Sequence, residues 1–304
     1  MSFSKRLNIF LGLIVLGLLI LIQTSKNNSN AALDLFNKMK KQESAEQAKE
    51  TVKTHRAWVS LTVSESKRLI GRGLREYKPI KENLKNGQII IARGSTNTYV
   101  AEELLNDSIQ HGRFLTGRIT PQKNYKRKRF KNAIAEIYLK AGEHVEMSFD
   151  EALTNLKEGA IVLKGANVLN YHEKSAAVLI GHPTGGTIGK MLPVIKDNRA
   201  RLIIPVGLEK NISAPMAQLL DKHKNKLENV GRSVPRIWPL PGEVFTEIEA
   251  IKQFADVEVY QLASGGLAGA EGAVSLVIEG NKSEVEKALN IVNDIQGEPS
   301  FYKR

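Results

Sequence analysis

The chain reads as an α/β protein: a mostly parallel sheet with helices on both faces, followed by a C-terminal ferredoxin-like α+β module and preceded by an N-terminal transmembrane helix. Three observations predict this. Short apolar runs alternate with helical patterns through the middle of the chain, which argues for parallel strands covered on both faces. Beyond Pro235 the order changes to strand, helix, strand, strand, helix, the split βαβ arrangement. Near the amino terminus an almost unbroken apolar run extends from Leu7 to Ile22. The expected division is an anchor at residues 1–24, a charged helical spacer at 25–58, an α/β ligand-binding domain at 59–234 and the ferredoxin-like module at 235–304.

Composition narrows the chemistry. A chain of 304 residues suits two modest domains. It has no cysteine, so disulfides, thiolate metal sites and cysteine nucleophiles are excluded. Its six histidines are scattered without metal-ligand spacing. Neither a metal nor a cofactor is expected. A formal charge of +12 favours anionic partners.

Taken in order, Lys5 and Arg6 precede the apolar run. A spanning helix needs roughly 17 to 25 apolar residues, so this one is short, and a cleaved signal peptide is the alternative. No small-residue cleavage site follows at Gln23, Thr24 and Ser25, which favours a retained single-pass anchor. Lys5 and Arg6 put the amino terminus in the cytoplasm, whereas Lys26, Lys38, Lys40 and Lys41 put the soluble part there. The side of the membrane stays open. Residues 31–56 are rich in Lys, Glu, Gln and Ala, which reads as an exposed helix, with a short coiled coil as the alternative.

Ser64 is placed to cap a helix through Lys67, Leu69, Ile70 and Leu74, with Pro79 and Gly87 as punctuation. Gln88 to Ala92 reads as a buried strand running into Arg93-Gly94-Ser95-Thr96 and a helix. Such a turn presents free N–H groups and hydroxyls to an anion. Lys123, Lys126, Arg127, Lys128, Arg129 and Lys131 then surround Tyr125 and Phe130. They form a candidate surface for nucleic acid or anionic lipid, or a solvated charge run.

A strand follows at Ile134 to Leu139, and Ser148 caps the next helix. Ala160 to Leu163, Ala176 to Ile180 and Leu202 to Val206 are further buried strands. The second of these feeds Gly181-His182-Pro183-Thr184-Gly185-Gly186-Thr187 and a helix over Ile188 to Ile195. This turn is not a nucleotide loop, because the glycine spacing is wrong and Met191 replaces the magnesium-binding hydroxyl. After Pro235 the elements are Arg236 to Leu240, a helix over Glu243 to Phe254, Val257 to Leu262, Ala273 to Glu279 and a helix over Lys282 to Ile295. A last strand is expected at Ser300 to Tyr302.

The strand before Gly94-Ser95-Thr96 resembles the first phosphate-binding turn of the ribose-5-phosphate isomerase and coenzyme A transferase-like superfamily. Lys164-Gly165-Ala166-Asn167 resembles its second hallmark, and the likeness spans roughly Leu69 to Lys210. The resemblance implies a ligand at the carboxyl ends of the strands. It also exposes a departure, since Asn167 and Asn170 stand where the isomerases place proton-moving carboxylates, and an amide is no general base. The carboxylates and imidazole left nearby are Glu173, His182 and Glu209. Glu209, followed by Lys210, leaves a buried strand, and a glutamate there could attack an acyl thioester as coenzyme A transferases do.

The expectation is a membrane-anchored protein that binds a small phosphorylated or anionic ligand at Gly94, Ser95, Thr96, Asn167, Thr184, Gly185, Gly186 and Thr187. Glu209 and Lys210 are its candidate catalytic pair, in an isomerase or acyl transferase relative. The alternative is a membrane-bound scaffold or sensor without catalysis. Whether it is an enzyme stays open, as does its oligomeric state.

Overall fold

The computed structural model describes residues 34, 37–41, 54–120, 123, 130, 132–182, 184–224 and 227–302. The chain divides into a unit of residues 1–54 and a compact unit His55–Arg304. In the first, Asp34 and residues 37–41 are helical and mostly exposed.

The second unit is mixed α/β with three sheets. A six-stranded sheet has the order β10 (Glu243–Phe245), β8 (Arg201–Pro205), β5 (Ile161–Leu163), β2 (Gln88–Ile91), β3 (Ile137–Lys140), β4 (Glu143–His144). The first four run parallel and the last two antiparallel, so the sheet is mixed rather than mostly parallel. All four residues of β2, Gln-Ile-Ile-Ile, are buried, the mark of a central strand covered on both faces. A small antiparallel sheet joins β6 (Val168–Asn170), β7 (Ser175–Ile180) and β9 (Arg236–Leu240). A third has β12 (Val274–Gly280) between β1 (His55–Leu61) and β11 (Val257–Ser264).

Among the helices, α1 (Val63–Glu76) starts with a capping box in which Thr62, not Ser64, is the cap: Thr62 N donates to Glu65 at 2.7 Å and Glu65 N to Thr62 Oγ1 at 3.4 Å. It packs on α3 (Ser95–Leu105) and α7 (Glu247–Ile251), which buries its polar first turns, including Lys67 and Arg68. The segment after Pro79, read as punctuation, is itself a helix, α2 (Lys78–Asn86). The others are α4 (Phe149–Thr154), α5 (Gly186–Asp197), α6 (Met216–Lys222) and α8 (Lys282–Asn293). Ser148 caps α4, as expected.

Three expectations are corrected here. The ferredoxin-like module does not form, because β9 joins the small sheet and β10 extends the main one, while β11 and β12 take their third strand from His55–Leu61. Ser300 to Tyr302 is not a strand but a turn lying against His111. The anchor at residues 1–24 lies outside the described residues. Among the described residues no helix is long and apolar enough to cross a membrane. The longest, α1, has 14 residues and reaches about 21 Å against the ~30 Å of a bilayer core. The single-pass transmembrane protein and its membrane placement are therefore not upheld.

Candidate functional site

Because β2, β5, β8 and β10 are parallel, the residues that leave them gather at one edge: Arg93 and Gly94, Lys164, Gly207 to Lys210, and Thr246 with Glu247. The antiparallel β3 adds Glu136, since Ile91 pairs with Ile137 and the residue before Ile137 meets the residues after Ile91. Arg93 Nε accordingly donates to Glu136 Oε1 at 3.0 Å. Ligands of open α/β sheets lie at this edge.

Asn97, in the first turn of α3, holds the edge open. Its Nδ2 donates to Ala92 O at 2.7 Å and to Leu163 O at 2.9 Å, spanning the ends of β2 and β5. Its buried Oδ1 has no hydrogen-bond partner among the described residues.

Glu209 and Lys210 stand in a 3₁₀ turn (Leu208–Lys210) just after β8, with Lys210 Nζ 3.6 Å from Glu209 Oε1. The other Glu209 oxygen is buried and unpartnered. Both side chains are mostly covered, at 12% exposure for Glu209 and 20% for Lys210. The turn is fastened from behind by Glu247, whose carboxyl oxygens accept the Leu208 N–H at 3.0 and 3.2 Å.

Glu247 is completely buried. Burial, and then the charge of Glu209, push its pKa up to about 8, against the pull of its hydrogen bonds from Leu208 and Ser66. Glu247 therefore keeps its proton near neutral pH beside the Glu209 carboxyl group.

Two buried lysines complete the cluster. Burial and the charge of Lys210 lower Lys67 to about 8, with Glu209 and Glu247 opposing. Burial also lowers Lys164 to about 8; Glu136 opposes it, and Lys210 and Arg93 add to it.

A cleft of about 590 Å³ opens between Arg93 and Glu136 on one side and the turn before α5 on the other. Lys190 of α5 bridges both oxygens of Asp150 in α4 at 2.9 Å, across one wall. Neither α3 nor α5 has a side-chain cap at its amino end, so both present uncapped N-termini to this edge.

The structure brings together Gly94, Ser95, Thr96, Glu209 and Lys210 at the strand ends and puts Thr184, Gly186 and Thr187 on the cleft wall. Thr96 is buried, and Thr184 pairs with the His182 ring at 3.0 Å. Gly185 and Gly189 serve packing. A Cβ at Gly185, where φ is +81°, would lie 2.9 Å from the Trp238 ring, and one at Gly189 would overlap the Thr184 carbonyl.

Asn167 does not join the site: its Oδ1 accepts the Leu179 N–H at 3.1 Å, which closes the β6–β7 hairpin from an exposed position. Asn170 likewise bonds Ala214 O and the Glu173 N–H. Glu173 caps α6 by accepting the Met216 N–H at 3.0 Å. These amides fasten loops. Of the basic cluster only Lys123 lies among the described residues.

Sequence reasoning missed Glu247, Lys67, Arg93 and Glu136. Glu247 and Lys67 fall inside segments read simply as helices, Glu243 to Phe254 and the helix through Lys67, Leu69, Ile70 and Leu74. The only signal was their neighbours, an apolar Val244-Phe245 before Glu247 and the Leu69-Ile70 pair after Lys67. Comparison of the chain with protein families, with curated proteins and with solved structures returns no match.

Proposed function

We propose that this protein is an enzyme that binds a small phosphorylated or otherwise anionic carbonyl compound at the carboxyl edge of its parallel strands, with Glu209 moving a proton on it. The observation that carries this reading is the state of Glu209: one oxygen faces Lys210 at 3.6 Å, the other is buried and unpartnered. A carboxylate held this way is dry, oriented and free to accept a hydrogen.

The surroundings supply the rest. Lys67 and Lys210 place positive charge where an enediolate oxygen would develop, and fixed charges in a water-poor site stabilise such a transition state strongly. The unpartnered Asn97 Oδ1 suits a ligand hydroxyl. The uncapped helix ends and Lys190 offer a place for a phosphate at the cleft wall. Transfer of a proton between the carbons flanking a carbonyl, as in aldose–ketose isomerisation, uses all of these groups. The resemblance to the isomerase and transferase superfamily supports the same class.

The test is solvent deuterium exchange into sugar phosphates, read by NMR, together with thermal shift against sugar phosphates, inorganic phosphate and coenzyme A esters. Wild-type protein should be stabilised by a phosphorylated carbonyl compound and should exchange its α-proton. Glu209→Gln should keep the stabilisation and slow exchange by about 10³-fold. Stabilisation without exchange by the wild type would replace this reading with a ligand sensor.

A further inference from the structure

We propose that Lys164 is an amine nucleophile that joins the carbonyl ligand of this site through a protonated imine. The inference rests on the carbonyl-ligand reading of the site and names a covalent step that Glu209 alone does not require.

Lys164 leaves β5, the strand between β2 and β8, so its side chain starts from the middle of the carboxyl edge. It is 8% exposed, and among the described residues its ammonium group makes neither a hydrogen bond nor an ion pair. The carboxylate whose charge reaches it, Glu136, is already bound by Arg93 at 3.0 Å. The other charged groups that reach it, Lys210 and Arg93, are cations. Arg93 and Glu136, whose charges reach Lys164, line the cleft. A structural lysine buried in a fold is paired; this one is not.

The same environment makes the amine available. Burial brings Lys164 down to about 8, so roughly one amine in ten is neutral at pH 7, against about one in three thousand for an ordinary lysine. A desolvated lysine beside other cations is the setting in which amines attack carbonyls. Lys67 is depressed as far, but it faces the Phe301 ring at 5.6 Å and has Glu209 nearby, which favours its protonated form. It serves as a counter-ion for the ligand.

The step balances without an oxidant or reductant. The neutral Lys164 nitrogen forms a bond to the carbonyl carbon, and the carbonyl π electrons take a proton to give a carbinolamine. That hydroxyl leaves as water with a second proton, and the nitrogen lone pair completes the C=N bond. The net change is ammonium plus carbonyl giving iminium plus water. An iminium withdraws electrons more strongly than a carbonyl, which eases removal of the α-proton by Glu209 on the neighbouring strand's turn.

Pyridoxal 5′-phosphate, an aldehyde that carries a phosphate, is a suitable probe. Full-length protein would be mixed with one equivalent at pH 7, reduced with borohydride and mapped by peptide mass spectrometry. The expected result is a dominant adduct on Lys164, forming about tenfold or more faster than on any surface lysine and slowed by inorganic phosphate. Lys164→Arg should remove that adduct, and Lys78→Arg, on the exposed side of α2, should leave it in place. Lys164→Met, melting like wild type, controls for folding; if neither Lys164 variant folds, the adduct's position in the wild type decides. Adducts spread over surface lysines, or centred on Lys67, would overturn the proposal. Thermal stabilisation by phosphate without a Lys164 adduct would overturn the imine alone, whereas neither stabilisation nor adduct would overturn the anion site as well.

Discussion

Glu247 accepts the Leu208 N–H through both carboxyl oxygens, at 3.0 and 3.2 Å, so the first residue of α7 fixes the turn on which Glu209 stands. Its pKa, pushed up to about 8 by burial and by the Glu209 charge, carries a pH signature. The unfolded chain releases this proton near 4.5 and the folded one near 8, so between those values the fold holds the extra proton and stability falls as pH rises. Glu247→Gln keeps an acceptor for Leu208 and removes the titration. Denaturant unfolding should show the variant close to wild type at pH 5 and more stable by roughly 2–4 kcal/mol at pH 8.5. A wild-type stability that does not change over this range would sink the assignment.

Gly207 is the companion test. A methyl group there would overlap Glu209 Oε2 and push the carboxylate from its place. The clash is with the end of a flexible side chain, so Gly207→Ala should cost less than about 1 kcal/mol of stability while slowing proton exchange by about 10²-fold. Equal loss of both, measured on the same preparation, would mean that the turn itself is being broken.

The glycines before α5 should behave in the opposite way. Gly189→Ala meets the Thr184 carbonyl and Gly185→Ala meets both Trp238 and a positive φ. Each should lose about 2–4 kcal/mol by thermal or denaturant unfolding. Gly186→Ala, with nothing nearer than His182 Cβ at 3.7 Å, should lose about 1 kcal/mol from its φ of +53° alone.

A buried ion network sets the acid limit. Arg68 contacts Glu102 at 2.6 Å and Glu103 and Glu298 at 3.1 Å, and His111 meets Glu102 at 3.1 Å. Burial works to raise Glu102, but hydrogen bonds from His111, the Ile109 N–H and Arg68 hold it down to about 2. Its folded value lies below its unfolded one, so its contribution is complete above about 4.5 and is lost as pH falls toward 2. Stability should drop by roughly 3 kcal/mol through that window, and Glu102→Gln should flatten the drop. Arg68→Met, which takes a shared buried cation from Glu102 and Glu298 while Glu103 keeps Arg75, should cost about 3–5 kcal/mol at pH 7.

What was readable in the sequence follows from the range of the forces involved. β2, β5, β7 and β8 showed as apolar runs because strands buried on both faces have no polar side to interrupt them. Ser148 and the Gly-rich turn before α5 announced helix starts through local chemistry. β1 did not show: it alternates exposed and buried residues behind a charged stretch, and its partner lies more than two hundred residues away, Trp58 facing Val277. The same non-locality misplaced β9, whose apolar pattern says that it is a strand but not which sheet it completes, and Glu243–Phe245 read as the start of a helix because only its pairing with β8 makes it a strand. Glu209 and Lys210 were identifiable because they leave a buried strand. Glu247, Lys67 and Lys164 owe their character to burial by distant segments, which no local spacing encodes.

The pairing of β1 with β12 also sets the order in which the protein is made. His55 lies opposite Gly280, so the first strand of the compact unit has no neighbour in its sheet until the last one has emerged from the ribosome. Nearly the whole unit must be synthesised while the apolar face of His55–Leu61, with Val59 and Leu61 destined for the core, waits uncovered. Folding that depends on contacts so far apart along the chain is slow and vulnerable to chaperone capture and proteolysis. A break in translation before Val274 would therefore leave an unfinished molecule rather than a smaller working one.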